Sequence, residues 1–377
     1  MNDFPMEPKP ATRITCMAHR LLARPIMERL TSLGAGAALV ENARCVRQRV
    51  RARGWGLPGQ ATDLDDSPMD VFRVAVAREA ADRVARELIE AGELRTPGHG
   101  MLYAQDLVEY SRAEPPAIDP DPDTRSDGML RDMALLTCIL SMAGSGEQLA
   151  RIALTLGAGV PVVSRGIGTG IRDRLGLLRI AITPEKEIVR LMIPAHDADG
   201  IRRLLIEEGR LDRPGGGFLY QTPIRAGLAD PLLRIGRQRH AASMEQIIAA
   251  LDDIKAGTAW RKRFVAIEDR PEHVARLTRR HYREIVFTCS EGRADDWVRV
   301  AMTAGADGAT TSRVRRLGAD SAEGAGVARE TGVLCVPSAM ADAVLEALRD
   351  FAARSDDSAS RIQALDAPAV FTHQRKR

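Results

Sequence analysis

The chain has 377 residues, of which 45% are hydrophobic and 28% charged, enough apolar material for several folded units of roughly 100–200 residues each. Its 54 lysines and arginines against 51 acids leave a formal +3, too small a surplus over this length to argue for a nucleic-acid partner. An aromatic content of 4% also argues against a base-stacking surface.

Five cysteines, Cys16, Cys45, Cys138, Cys289 and Cys335, form no CxxC pair and have no histidine at metal-ligand spacing. They read as free buried thiols of a reducing compartment. Residues Met1 to Arg13 carry prolines and charges rather than a signal peptide's apolar run, and no stretch of about 18 uncharged apolar residues occurs. The expected place is the cytoplasm, with no transmembrane segment. The histidines are scattered, and neither GxSxG nor GxxxxGK[ST] is present, so catalysis and metal binding are not expected.

In chain order the elements recur. Arg13-Ile-Thr-Cys-Met-Ala18 opens a first copy, Leu135-Leu-Thr-Cys-Ile-Leu140 a second and Ile285-Val-Phe-Thr-Cys-Ser290 a third. Each is a short apolar β run carrying Thr-Cys. Next come Leu33-Gly-Ala-Gly-Ala-Ala-Leu-Val40, Leu156-Gly-Ala-Gly-Val-Pro-Val-Val163 and Ala304-Gly-Ala-Asp-Gly-Ala-Thr-Thr311. From first to second copy the two offsets agree to within one residue, so register is kept.

The longest match pairs Glu90–Tyr103 with Glu207–Tyr220, where eight of fourteen positions are identical, among them Gly98, Gly100, Gly215 and Gly217 by alignment of their flanks or identity. Three matches in one order predict a duplicated unit. The third copy lacks this glycine-rich element, and Pro368-Ala-Val-Phe-Thr372 is read as its remnant.

Within the second copy, Leu135–Leu140 predicts a strand. Leu149, Ile152, Ala153 and Leu156 form an i, i+3, i+4, i+7 helical stripe, and Val160–Ser164 predicts a strand ending at Arg165-Gly-Ile-Gly-Thr-Gly170. Glu187–Pro194, Asp197–Glu208 and Phe218–Ile224 complete the order strand, helix, strand, strand, helix, strand. The predicted fold class is α+β, with three tandem ferredoxin-like βαββαβ units. Their spans are 12–112, 132–228 and, degraded, 282–373. A Pro- and Asp-rich linker (113–131) separates the first two. A helical linker (229–281) follows the second, its helix marked by Ile247, Ile248, Leu251 and Ile254 after Ser243. Arg51–Pro68 in the first copy reads as an exposed loop holding Trp55.

Two features resemble the P-II family of nitrogen-regulatory signal proteins. One is Arg165-Gly-Ile-Gly168 after the second strand, where the family's long loop begins. The other is the turn Pro214-Gly-Gly-Gly-Phe-Leu-Tyr220 before the last strand. The resemblance covers the first two copies well and the third weakly. Because family members are trimers of this unit, it implies an intrachain pseudo-trimer, monomeric or a small homo-oligomer.

It also implies adenine nucleotide in clefts between units and loops that contact an unidentified protein target in nitrogen or carbon metabolism or transport. The effector expected is ATP, ADP, AMP or another small anion, with no cofactor required. Candidate binding residues are Arg165, Gly166 and Gly168, the turns Gly98–Gly100 and Gly215-Gly216-Gly217, and Arg225 as a source of charge. Where the family places a lysine after the turn, this chain has Met101 and Phe218, and its loop lacks the tyrosine some members have modified. The missing lysine and the degraded third copy favour an alternative, a ligand-free adaptor of the same fold, and the missing tyrosine argues against control by nucleotidylation.

Overall fold

The computed structural model describes residues 6–35, 37–52, 60–113, 116–120, 128–170, 185–213, 215–230, 278–317 and 326–372. Among them are six α-helices and one large antiparallel sheet. The helical linker from residue 231 to 277, residues 114–115 and 121–127 of the Pro/Asp linker, the segments 171–184 and 373–377 and Trp55 lie outside the described residues.

The first section comprises β1 (Pro8–His19), α1 (Ala23–Ser32), β2 (Leu39–Ala52), β3 (Gln60–Val76), α2 (Ala81–Ala91) and β4 (Gly100–Ser111). The second comprises β5 (Met133–Leu140), α3 (Ser145–Thr155), β6 (Val162–Gly170), β7 (Glu185–Pro194), α4 (Ala198–Glu208) and β8 (Gly217–Ile224), followed by the short β9 (Ala226–Leu228). After β10 (Thr278–Arg279), the third has β11 (Tyr282–Ser290), α5 (Ala294–Thr303), β12 (Gly308–Arg316), β13 (Val327–Pro337), α6 (Ser338–Arg354) and β14 (Arg361–Ala367), then β15 (Ala369–Thr372). In all three the strand order is the same: β4-β1-β3-β2, β8-β5-β7-β6 and β14-β11-β13-β12.

Each section buries the apolar stripes of its two helices against one sheet face. In α2 the buried residues are Ala81, Val84, Ala85, Leu88 and Ile89, and in α4 they include Ile201, Leu205 and Ile206. Three separate cores result, one per section. The opposite sheet faces turn toward one another and meet in smaller clusters. Met17, Met69 and Tyr103 pack with Leu135 and Met192, Tyr220 with Tyr282 and Val370, and Ala11 with Leu107 and Leu365.

The sections exchange their ends in a cycle. β9 pairs with β4, with Leu102 opposite Leu228; β15 pairs with β8, with Phe218 opposite Thr372; and the end of β4 pairs with β14, with Ser111 opposite Arg361. The second strands also touch, β6 with β12, β2 with β6 and β2 with β12. Each fourth strand therefore gains backbone partners from a neighbour, which covers a sheet edge otherwise exposed.

Three sequence expectations are corrected. Arg165–Gly170 does not leave the sheet after Ser164 but continues β6, because β7 pairs with Arg165–Ile167 and β12 pairs with Ile167–Gly170 on the far side. Most of Arg51–Pro68 is not a loop: β2 and β3 run as a long hairpin, with Arg47 opposite Asp65 and Arg44 bonded to Asp66, and such opposite-charge cross-strand pairs support a ladder. Pro368–Thr372 is no remnant of a glycine turn. Ala369–Thr372 is β15, a strand on the second section, and the third section's turn before its fourth strand is 355–360.

Candidate functional site

Each section has a turn that joins its second helix to its fourth strand. The first two turns are built alike because their sequences are alike. Helix α2 ends at Gly92 and α4 at Gly209, after which Glu93 (φ 44) and Arg210 (φ 54) take left-handed conformations. The Leu94 N–H then donates to Ile89 O and the Leu211 N–H to Ile206 O, both at 2.9 Å, while both leucines are fully buried.

Gly98 and Gly215 follow with φ of +98 and +78, and Gly100 and Gly217 with φ of +145 and +146. A Cβ at Gly100 would stand 2.0 Å from the carbonyl oxygen of Met17, and one at Gly217 2.7 Å from that of Ile139. Glycine is required here by close approach to the first strand, whatever the turn binds.

The turns differ in what faces them. At the first, β9 carries the chain of the second section along β4 and delivers Asp230, whose carboxylate accepts from the Gly98 N–H at 3.0 Å and from the Arg47 guanidinium. Arg47 Nε also donates to Cys45 Sγ at 3.3 Å. Burial pushes the Asp230 carboxyl above its usual range, against the pull of Arg47 and the Gly98 N–H. Burial likewise raises the Cys45 thiol to about 11. A backbone N–H in a glycine turn beside an arginine is an anion-holding arrangement, and here the anion belongs to the chain.

At the third turn the occupant is local. Asp357 accepts two bonds from Arg329, at 2.9 and 2.7 Å, and one from the Ser290 N–H at 2.9 Å. Burial opposes its ionisation, but Arg329 and Ser290 hold its carboxyl below the usual range. Arg112, from the end of the first section, donates to the carbonyls of Ala352, Ala353 and Ser355 and so closes the end of α6.

At the second turn, no described residue lies within 4 Å of where a Cβ on Gly215 would stand. The Gly216 N–H donates to Arg213 O at 2.9 Å, and a Cβ there would meet Arg210 O at 2.5 Å. β15 leaves this turn's flank at Thr372, opposite Phe218.

The other expected residues are placed as follows. Arg165 is exposed on β6 opposite Glu187, and its carbonyl accepts from Ser312 Oγ at 3.2 Å. Gly166 lies against Thr310 and Thr311 of the third section, where a Cβ would come within 2.9 Å of both, and Gly168 lies under Lys186. Arg225 does not reach its own section's turn. It spans to the first section, bonding Arg78 O and Asp82 at 3.3 Å and lying 3.6 Å from Asp106. Met101 is buried and Phe218 half-buried.

Comparison with solved structures gives GlnK of B. subtilis. It shares 10% identity at a TM-score of 0.23, covering 30% of this chain and 97% of that one. Its ATP complex matches with 10% identity and a TM-score of 0.23 over 27% of this chain and 88% of that one. A protein of unknown function from Galdieria sulphuraria matches with 13% identity and a TM-score of 0.18, over 58% and 99%. No family model and no curated protein matches the chain. Scores this low assign no family, and the fold described above rests on its own strand pairings.

Asp230, Arg47, Asp357 and Arg329 were missed in the sequence. Only Asp230 left a signal, its place just after the second copy's last strand, where a neighbour's turn is reached. Among the described residues no His, Cys, Asp or Glu cluster fits a metal, and no helix is long and apolar enough to cross a membrane.

Proposed function

We propose that the chain is a P-II-like regulator whose three sections form an intrachain pseudo-trimer, with an adenine nucleotide or other small anion as effector and a protein as target. The cyclic exchange of chain ends between fourth strands supports the pseudo-trimer. The observation that carries the reading is the difference among the three turns: the first holds Asp230, the third holds Asp357, and at the second no described residue stands within 4 Å of where a Cβ on Gly215 would be. The effector site is therefore the second cleft, at Gly215–Gly217 beside β15. Gly98, Gly100, Arg165, Gly166, Gly168 and Arg225 act in packing and between sections rather than on the effector.

Titration calorimetry of the full chain with ATP, ADP, AMP and cyclic AMP tests this. Saturable binding by the parent chain that is lost in Gly215→Asp, which sets a carboxylate at the open turn, is the expected result. Binding unchanged by that substitution moves the site elsewhere. No binding by the parent favours the ligand-free adaptor, a reading that Met101 and Phe218 in place of lysine also support.

A further inference from the structure

Where the inner faces of the three sections meet, a cavity of about 60 Å³ is enclosed by side chains from all of them. A single water needs roughly 10–15 Å³ of such space, so the cavity holds several water-sized occupants. Its lining follows the threefold pattern of the strands. Opposite Thr15, Thr137 and Thr288 of the first strands stand Arg73, Arg190 and Thr331 on the third strands, and Tyr103, Tyr220 and Arg361 on the fourth. Each section thus directs one arginine to the centre, the third from a different strand than the other two.

The charges around this cavity do not cancel. Arg13 bonds Glu284 at 2.8 Å and Gln105 at 2.9 Å. Arg73 and Arg190 share Glu41, at 2.5 and 3.4 Å, and Arg190 also donates to Ser164 Oγ at 2.8 Å. Arg361 lies 3.6 Å from Glu109, which also accepts from Gln363 at 2.9 Å.

Four guanidinium groups, Arg13, Arg73, Arg190 and Arg361, face three carboxylates, Glu41, Glu284 and Glu109. One positive charge is left over in a region where Arg13, Arg190 and all three carboxylates are more than nine-tenths buried. Arg13 Nε, a buried donor on this lining, has no acceptor among the described residues. A surplus buried charge with an idle donor is costly unless something in the cavity answers both.

We propose that this central cavity binds one small monovalent inorganic anion, of the class of chloride, nitrate or bicarbonate, between the arginines of the three sections. The anion neutralises the surplus charge, accepts from guanidinium N–H groups and from hydroxyls such as those of Thr137 and Thr288, and ties the sections together. The aliphatic neighbours Leu135, Ile188, Val286 and Val333 exclude a larger solvated ion. The site is separate from the glycine turns and stands or falls without them.

Thermal unfolding of the full chain at fixed ionic strength, in sodium gluconate against chloride, bromide, nitrate, bicarbonate and sulfate, is the test. A ligand that binds only the folded state must raise its Tm. A saturable rise of several degrees in one or more of the monovalent ions over gluconate is expected, with none in sulfate beyond gluconate. Arg361→Gln removes the surplus charge and should abolish the rise. Bromide-soaked crystals should show an anomalous peak among Arg73, Arg190 and Arg361, which decides the matter even if the variant fails to fold. Equal Tm in all salts, a rise that survives Arg361→Gln, or a cavity holding only water overturns the proposal.

Discussion

The first and second glycine turns share the same backbone conformation at their matching glycines and at the left-handed residue before them, and differ in what the described chain sets beside them. Both place a left-handed residue after the helix, a buried leucine next, and two positive-φ glycines before the strand. Yet Gly98 hands its N–H to Asp230 and is crowded by Arg47, while no described residue comes within 4 Å of a Cβ on Gly215. The difference does not come from the turns. It comes from what the neighbouring section's chain end brings to them, which shows that local identity between duplicated segments does not imply equal binding capacity.

The largest effect is expected at the third turn, which closes itself. Arg329→Ala leaves Asp357 without its bidentate partner and should cost about 3–5 kcal/mol in denaturant unfolding, as does breaking a buried pair. A cost under about 1 kcal/mol would mean that water replaces the arginine and that this turn is as open as the second.

Next in size is the pH dependence at the meeting of the sections. Burial would raise the Glu41 carboxyl, but Arg190 and Arg73 overcome it and hold it at about 2, against 4.5 for a free glutamate. Because the folded value is the lower one, its contribution is present above about pH 4.5 and is lost as pH falls toward 2. That contribution is on the order of 3 kcal/mol. Glu41→Gln should flatten the stability-against-pH curve over that window, and an unaltered slope would contradict the pairing.

Third, Asp230→Ala should convert the first turn into something like the second. It leaves the Gly98 N–H and Arg47 unsatisfied, costing about 1–3 kcal/mol. It should also add an anion site, seen in calorimetric titration with ATP or sulfate as a higher stoichiometry than the parent's. Unchanged stoichiometry would show that the vacated turn does not hold anions.

The smallest effect is at the second turn itself. Gly215→Ala meets no described neighbour and should carry the left-handed penalty of about 1–2 kcal/mol. By contrast Gly100→Ala, driven into Met17 O, should destabilise by more, and thermal unfolding of the two variants compares them directly.

Much of the fold was legible in the sequence. The order strand, helix, strand, strand, helix, strand came from periodicity, and the positions of Leu135–Leu140, Leu149–Leu156 and Phe218–Ile224 agree closely with β5, α3 and β8. Legibility failed where an element depends on a distant partner. Arg165-Gly-Ile-Gly168 has the composition of a loop, and only its pairing with β7 and β12 makes it a strand. Pro368–Thr372 is too short to announce a strand, and only the free edge of β8 recruits it. The candidate clefts fared likewise: the glycines were visible, whereas Asp230 and Asp357 were ordinary acids until folding set them beside a donor.

What the sequence determined by itself is local: which segments are strands or helices, where φ must be positive, and that the same unit recurs. These follow from short-range sterics and from the spacing of apolar residues, which act within a few turns of chain. The tertiary structure alone decided which chain end meets which turn and which arginines gather at the centre. Those outcomes depend on contacts between residues as far apart as Arg13 and Glu284, and a charge acquires its partner, and its cost, only when burial removes the water around both.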